Sequence, residues 1–278
     1  MVIHRSFIKL LHRTRLLKHF KLNTRTGFGK SVFKIPLLND IGYSHCLGYE
    51  EWLLKVMAFT EAYLHNDKSF VDVGVNIGQS LLILKSLYPA TRYTGFEPNP
   101  VCVEYAQELI KINNIQNSAI YPFGLSDKTG AAALNFYHQN PDDSCASMVK
   151  EFRNEDVRQT RSVSVVRGDE LENWPDINPG IVKIDVEGAE LEVIIGLENV
   201  IRRYRPCIIC EVLPAYSIKN EFRVRRQEDL RRLLTESGYG IYQINENGDI
   251  TATGHFDIHA PIACSNYLFV PLDNNILD

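Results

Sequence analysis

The chain has 278 residues, 45% of them hydrophobic and 23% charged, with a formal net charge of −4 at pH 7. That balance excludes a disordered or fibrous chain, and the length suits one large α/β domain with a flanking segment. No apolar run approaches the roughly 20 residues of a bilayer-spanning helix, and an acidic bulk without basic-aromatic interleaving argues against nucleic-acid binding. Residues 1–30 depart from the average, with eight Lys or Arg and no Asp or Glu. Phe7, Ile8, Leu10, Leu11, Leu16, Leu17 and Phe20 are interleaved there at the spacing of a basic amphipathic helix. Such a helix either lies on an anionic membrane surface or packs its apolar stripe on the domain, and a removable transit peptide has the same composition. We take residues 1–50 as an extension and lead-in, and residues 51–278 as the domain.

Residues 31–68, with Trp52 and a helical stretch through Tyr63, read as a cover for the sheet. Strands and helices then alternate. Ser69–Val73 is a strand, Gln79–Tyr88 a helix, Arg92–Phe96 a strand, and Pro100–Asn113 a helix with proline in its first turn. Ala119–Phe123 is a third strand. Ala131–Tyr137 and Val163–Val166 flank a polar segment, His138–Arg161, that reads as a lid. Ile181–Asp185, a helix from Ala189 to about Tyr204, and Cys207–Val212 continue the rhythm. Gln227–Ser237 is a helix, and Tyr239–Ile244 and Asn266–Val270 close the chain as a hairpin-like pair. The alternation implies right-handed βαβ units and a doubly wound, mostly parallel seven-stranded sheet with helices on both faces.

In such a sheet ligands bind beyond the carboxyl ends of the strands. At the first end, Asp72-Val-Gly74-Val-Asn76-Ile-Gly78 allows a tight turn that delivers a ligand to the next helix. Asp72 would act indirectly, holding the turn and attracting a cationic amine or sulfonium. The second end, Glu97-Pro98-Asn99-Pro, places a carboxylate where it can accept both hydroxyls of a ribose. The third, Gly124-Leu125-Ser-Asp127, offers an apolar flank for adenine and an acceptor for its exocyclic amine. Glycine turn and carboxylate together serve either a nicotinamide dinucleotide or S-adenosylmethionine, and a non-catalytic binding protein could keep the same fold.

The segments FVDVGVNIGQS, FEPNP, FGLSD, IVKIDVEGAELEVIIGL and RPCIICEV resemble those of the FkbM family of methyltransferases from about Phe70 to Val212. The resemblance implies a seven-strand methyltransferase fold, S-adenosylmethionine as donor, and O-methylation of a sugar, glycan or related polyhydroxylated acceptor. It carries the cofactor loop onto Asp72, Gly74, Asn76 and Gly78, and the ribose contact onto Glu97. Residues 1–50 lie outside it.

Methyl transfer is an in-line displacement, so the protein must position the acceptor and assist its deprotonation. Asp185 is the first choice for that role and Glu187 the second. Lys183, deeper in the strand, needs a carboxylate partner, and Asp185 is the nearest in sequence. Asp185, Glu187 and Glu211 are also hard oxygen ligands suited to Mg²⁺, although no fixed ligand spacing marks a metal site. His255 and His259 precede the final strand and have a pKa suited to base work. Asp142, Asp143, Ser144 and Ser147 could hydrogen-bond a polyhydroxylated acceptor. The six cysteines, Cys207-Ile-Ile-Cys210 among them, fall mostly in apolar runs and read as reduced core residues of a cytoplasmic protein, peripheral to the membrane if the basic terminus reaches it.

Overall fold

The computed structural model describes residues 5–14, 16–17, 21–38, 41–140, 142–150, 152–153, 155–258 and 261–274. The chain begins with α1 (Arg5–Arg13), a hairpin of β1 (Leu22–Phe28) and β2 (Ser31–Leu37), and α2 (Glu51–Phe59). Then come β3 (Ser69–Val73), α3 (Gln79–Leu87), β4 (Tyr93–Phe96), α4 (Pro100–Ile112) and β5 (Ser118–Tyr121). The middle holds β6 (Gly124–Ser126), β7 (Gly130–Phe136), β8 (Gln159–Arg167), the single turn α5 (Trp174–Ile177) and β9 (Pro179–Ile184). The last part is α6 (Glu190–Gly196), α7 (Glu198–Tyr204), β10 (Cys207–Glu211), α8 (Glu221–Glu236), β11 (Tyr239–Ile244), β12 (Ile250–Ala252) and β13 (Asn266–Pro271).

The main sheet runs β5-β4-β3-β9-β10-β13-β11-β12. The five strands β5 to β10 are mutually parallel, and β13 lies antiparallel between β10 and β11. This is the expected doubly wound sheet, with one addition. Short β12 pairs antiparallel with β11 at the edge, so eight strands are present rather than seven. Central strands are buried along their whole length, every residue of β3 and β9 included, and are apolar apart from Ser69, Asp72 and Lys183, because helices or loops cover both faces. One core layer joins α2, α3 and the β1–β2 hairpin through Leu53, Val56, Leu81, Leu84, Phe28 and Ile35. The opposite layer joins α6, α7 and α8 through Val193, Val200, Leu230 and Leu234. Cys207 belongs to the first layer and Cys210 to the second; both are free and buried on opposite faces of β10, which bears out their reading as core residues.

Some local expectations are corrected. Among the described residues of the amino-terminal segment the α-helix is α1, which is succeeded by a hairpin whose Thr24, Thr26 and Phe28 alternate inward. The helix expected from Ala189 to Tyr204 is two helices, because the Asp169 carboxylate accepts from Asn199 N and Val200 N and caps the second one from outside. The strands β6, β8 and β7 form a separate sheet in which β6 runs parallel to β8 and β7 antiparallel to it. Helix α8 starts earlier than expected, at Asn220, whose Oδ1 accepts from Arg223 N at 3.3 Å.

The basic extension packs on the domain. Ile8, Leu11 and Leu17 are buried in the first core layer, and the His12 ring stacks on Tyr43 at 3.9 Å. Phe7, Leu10 and Leu16 remain exposed, and Phe20 lies outside the described residues. Among the described residues no helix is long and apolar enough to cross a membrane.

Candidate active site

The site begins where β3 runs out. Gly74 has φ +89°, and a Cβ there would fall 1.9 Å from the Asp185 carbonyl oxygen, so the ends of β3 and β9 meet backbone to backbone. Asp185 N donates to Val73 O at 3.0 Å and Gly74 N to Phe96 O at 2.9 Å, tying three strand ends together. The turn closes with Gly78 N donating to Val75 O, and Gly78, at φ +82°, leads into α3.

Glu97 clasps this loop to the next helix. Its Oε2 accepts from Asn76 N and its Oε1 from Asn99 N, both at 2.8 Å, and the Asn99 side chain caps α4 by accepting from Val101 N. Burial pushes the Glu97 carboxyl up to about 7, against the pull of those two N–H donors. Each oxygen retains a further lone pair for a ligand hydroxyl.

A cavity of about 530 Å³ extends from this loop across the ends of β4, β3, β9 and β10. Of the expected cofactor residues, Gly74, Asn76, Glu97, Pro98, Asn99 and Leu125 line it. Asp72 does not. It is fully buried beneath the loop, with Tyr93 Oη donating to its Oδ2 at 2.6 Å and Lys183 Nζ 3.7 Å from its Oδ1, which suits an indirect role. Gly78 is set behind the turn, outside the lining. Asp127 is also outside. The pairing of β6 with β8 draws it into the small sheet, where its side chain accepts from Ser126 Oγ and its carbonyl from Arg167 Nη1. Asp127 thus stands outside the group of expected cofactor residues that the cavity brings together.

At the other end the cavity is lined by Lys183, Asp185, Glu187 and Glu211. Lys183 Nζ donates to Asp185 Oδ2 at 3.1 Å. Burial works against the ammonium, but Asp185 and then Asp72 outweigh it and hold its pKa above the ordinary lysine value. Glu187 sits at φ +53°, its Oε2 held by Arg153 Nη2 and its carbonyl accepting from Ser147 Oγ at 2.7 Å. Burial, then the Asp185 charge, push its carboxyl up to about 7. Glu211 accepts from Ser265 Oγ at 2.9 Å, and burial, then Asp185 and Glu187, push it up to about 9. Asp185, Glu187 and Glu211 bring ligand oxygens within 4.8 Å of one another. Lys183, Arg153 and Ser265 already answer these three carboxylates, and the convergence alone assigns no metal.

His255 is absent from the cavity. The β11–β12 hairpin carries it to the sheet edge, where it is exposed and its Nδ1 lies 2.7 Å from Thr253 O. His259 lies outside the described residues. From the lid, Asp142, Asp143 and Ser144 line the cavity, whereas Ser147 is buried and holds Glu187. Asp143 is already engaged, accepting from Tyr137 N, His138 N and Cys145 N with His138 Nδ1 at 2.8 Å.

Sequence reasoning missed Glu50, which precedes α2 and lines the cavity near Lys183, and whose carboxyl burial raises. It also missed His138, Asn140, Leu134 and Met148 on the lid side, and gave Glu211 only a metal-ligand role. Glu50 belongs to no motif. The lid residues carried a signal only as a polar segment of unusual length between two strands.

Five parallel strands with an antiparallel strand between the last two main positions, and a glycine turn clasped by a strand-end carboxylate, define a Rossmann-like methyltransferase fold. A profile described as the methyltransferase FkbM domain matches residues 72–241, and the chain belongs to that family. It is 30% identical to Methyltransferase 1 of Beauveria bassiana over 48% of this chain and 60% of that protein. It is 29% identical to the hexuronic acid methyltransferase AglP of Haloferax volcanii over 47% of this chain and 50% of that protein. The chain thus spans about half to three fifths of these relatives. Among solved structures, methyltransferase FkbM from Methylobacillus flagellatus is 18% identical with a TM-score of 0.46, over 77% of this chain and 52% of that one.

Proposed function

We propose that this protein is an S-adenosylmethionine-dependent O-methyltransferase acting on a hydroxyl of a sugar, glycan or related polyhydroxylated molecule. The observation that carries this reading is one continuous cavity with a nucleoside-type end at Glu97, Pro98 and Leu125 and a carboxylate end at Asp185. Membership of a methyltransferase family favours this donor over a nicotinamide, and a sugar-acid methyltransferase among the relatives favours a hydroxylated acceptor.

When bound, S-adenosylmethionine supplies a methyl group already activated by its sulfonium. The turn Gly74–Gly78 and the Glu97 carboxylate would hold its methionine and ribose parts, and Leu125 and Pro98 would flank its adenine. Asp185 then meets the acceptor hydroxyl. Its side chain, held by Lys183, is 38% exposed, whereas that of Glu187, held by Arg153, is 17% exposed. As the acceptor oxygen took the methyl, its proton would pass to Asp185, which Lys183 Nζ holds in place at 3.1 Å.

Calorimetric titration with S-adenosylhomocysteine tests the cofactor half, and methyl transfer to a panel of sugars tests the acceptor half. Absence of any binding by S-adenosylmethionine or S-adenosylhomocysteine would overturn the reading.

A further inference from the structure

A second cleft, of about 580 Å³, opens beside the lid and is lined by Arg153, Glu155, Tyr216, Lys219, Asn220 and Arg223, among others. Its chemistry is opposite to that of the catalytic cavity. Arg223 is only 8% exposed, yet its hydrogen bonds go to carbonyls, Nη1 to Pro214 O at 2.8 Å and Nη2 to Phe152 O, and its guanidinium lies 4.1 Å from the Phe152 ring centroid. Glu190 and Glu187 act on that charge only from a distance, and burial, the leading cause, pulls its pKa below the ordinary guanidinium value. Arg153 spends Nη2 on Glu187 and keeps a buried Nε without a hydrogen-bond partner. The amino end of the 16-residue helix α8 is at the same place and adds partial positive charge. Among the described residues Glu155 is the one carboxylate in the lining, and its side chain is 55% exposed.

We propose that this cleft binds an anionic group of the methyl acceptor, a phosphoryl or carboxylate, while the hydroxyl to be methylated enters the catalytic cavity; the proposal rests on the methyltransferase reading. The two sites are one side chain apart, because Arg153 lines the cleft and holds Glu187, which lines the cavity. Two guanidiniums and an ammonium supply the charge, and their remaining N–H groups the donors, that a multi-oxygen anion needs. The cavity itself is lined mainly by carboxyl groups, with Lys183 already held by Asp185, and offers such an anion no comparable set of cationic donors. Binding energy collected on a non-reacting part of the acceptor would then orient the reacting hydroxyl.

Sodium pyrophosphate and sodium glucuronate, titrated separately into the full chain at low ionic strength, test this. Saturable binding of either is expected, and the one that binds tells a phosphoryl source from a carboxylate source. In Lys219→Glu and Arg223→Gln that binding should weaken at least about tenfold, with S-adenosylhomocysteine affinity unchanged within about twofold. Should Arg223→Gln lose its cooperative thermal transition, exposed Lys219→Glu decides alone. No saturable binding of either anion, or binding indifferent to Lys219→Glu, overturns the proposal. Anion binding with that dependence but without S-adenosylhomocysteine binding keeps the subsite and refutes the methyltransferase reading.

Discussion

At the scale of single residues, the cavity is a crowd of carboxylates whose protons are shared out by burial. Glu97 and Glu187 are pushed up to about 7 and Glu211 to about 9, from an ordinary value near 4.5, with burial the leading cause in each. The folded protein therefore keeps protons that the unfolded chain releases near pH 4.5. That contribution to stability is complete below 4.5 and is lost as pH climbs through 7 toward 9. Glu211→Gln removes one such ionisation while keeping an acceptor for Ser265. Relative to wild type, its thermal midpoint should rise between pH 6 and pH 9 by about 3 °C or more, equivalent to ~1 kcal/mol; parallel midpoint curves would count against the assignment. In the proposed reaction Asp185 takes the hydroxyl proton; its side chain, 38% exposed against 17% for Glu187, is the more open of the two to the cavity. Asp185→Asn should keep S-adenosylhomocysteine affinity and lower kcat by about 10²- to 10⁴-fold, measured against the best acceptor of a sugar panel. That residue was legible from its alternation on the strand after Lys183. Glu50 was not, because only the path of a lead-in segment, and not any spacing, brings it to the site.

At the scale of elements, the legible and the hidden features divide along one physical line. The parallel strands showed as short apolar runs because both faces are buried, and α4 announced itself through Pro100 in its first turn. The break between α6 and α7 was hidden because its cause, Asp169, acts across 30 residues. The hairpin β1–β2 was hidden by its charges, although Thr24, Thr26 and Phe28 alternate inward as a half-buried strand should. The connection between β7 and β8 is the expected lid, and it is seated on the end of β9. Ser147 Oγ donates to Glu187 O, Arg153 pairs with the Glu187 carboxylate, and the Phe152 ring fits against Gly188, where a Cβ would fall 2.5 Å away. Ser147→Ala leaves the Glu187 carbonyl without that donor at a cost of about 1–2 kcal/mol. Amide hydrogen exchange across residues 138–158 should then speed up roughly five- to thirtyfold while β3 and β9 keep their protection. Unchanged exchange in the segment would show that other contacts seat it.

At the scale of the whole molecule, the charge asymmetry of the first 30 residues had two physical outcomes in view, a helix held on an anionic surface or a helix held on the domain. The apolar stripe divides between them. Ile8, Leu11 and Leu17 enter the core layer shared with Leu81 and Leu84 of α3, the helix next after the cofactor loop, while Phe7, Leu10 and Leu16 face outward. The buried half makes the extension part of the scaffold behind the site, and the exposed half leaves membrane-surface contact as a proposal. Full burial of one such side chain is worth about 1.5–3 kcal/mol, an upper figure since unfolded chains bury some surface already. Deleting residues 1–20 should therefore lower stability by about 3 kcal/mol or more and the thermal midpoint by roughly 5–10 °C, with S-adenosylhomocysteine affinity falling as α3 loosens. The triple variant Phe7→Ser, Leu10→Ser, Leu16→Ser changes only outward side chains. It should leave the midpoint within about 2 °C while reducing co-sedimentation with vesicles rich in anionic lipid. Equal loss of stability in both variants would mean that the outward face is covered in the folded protein, and undiminished co-sedimentation of the triple variant would mean that this face makes no membrane contact.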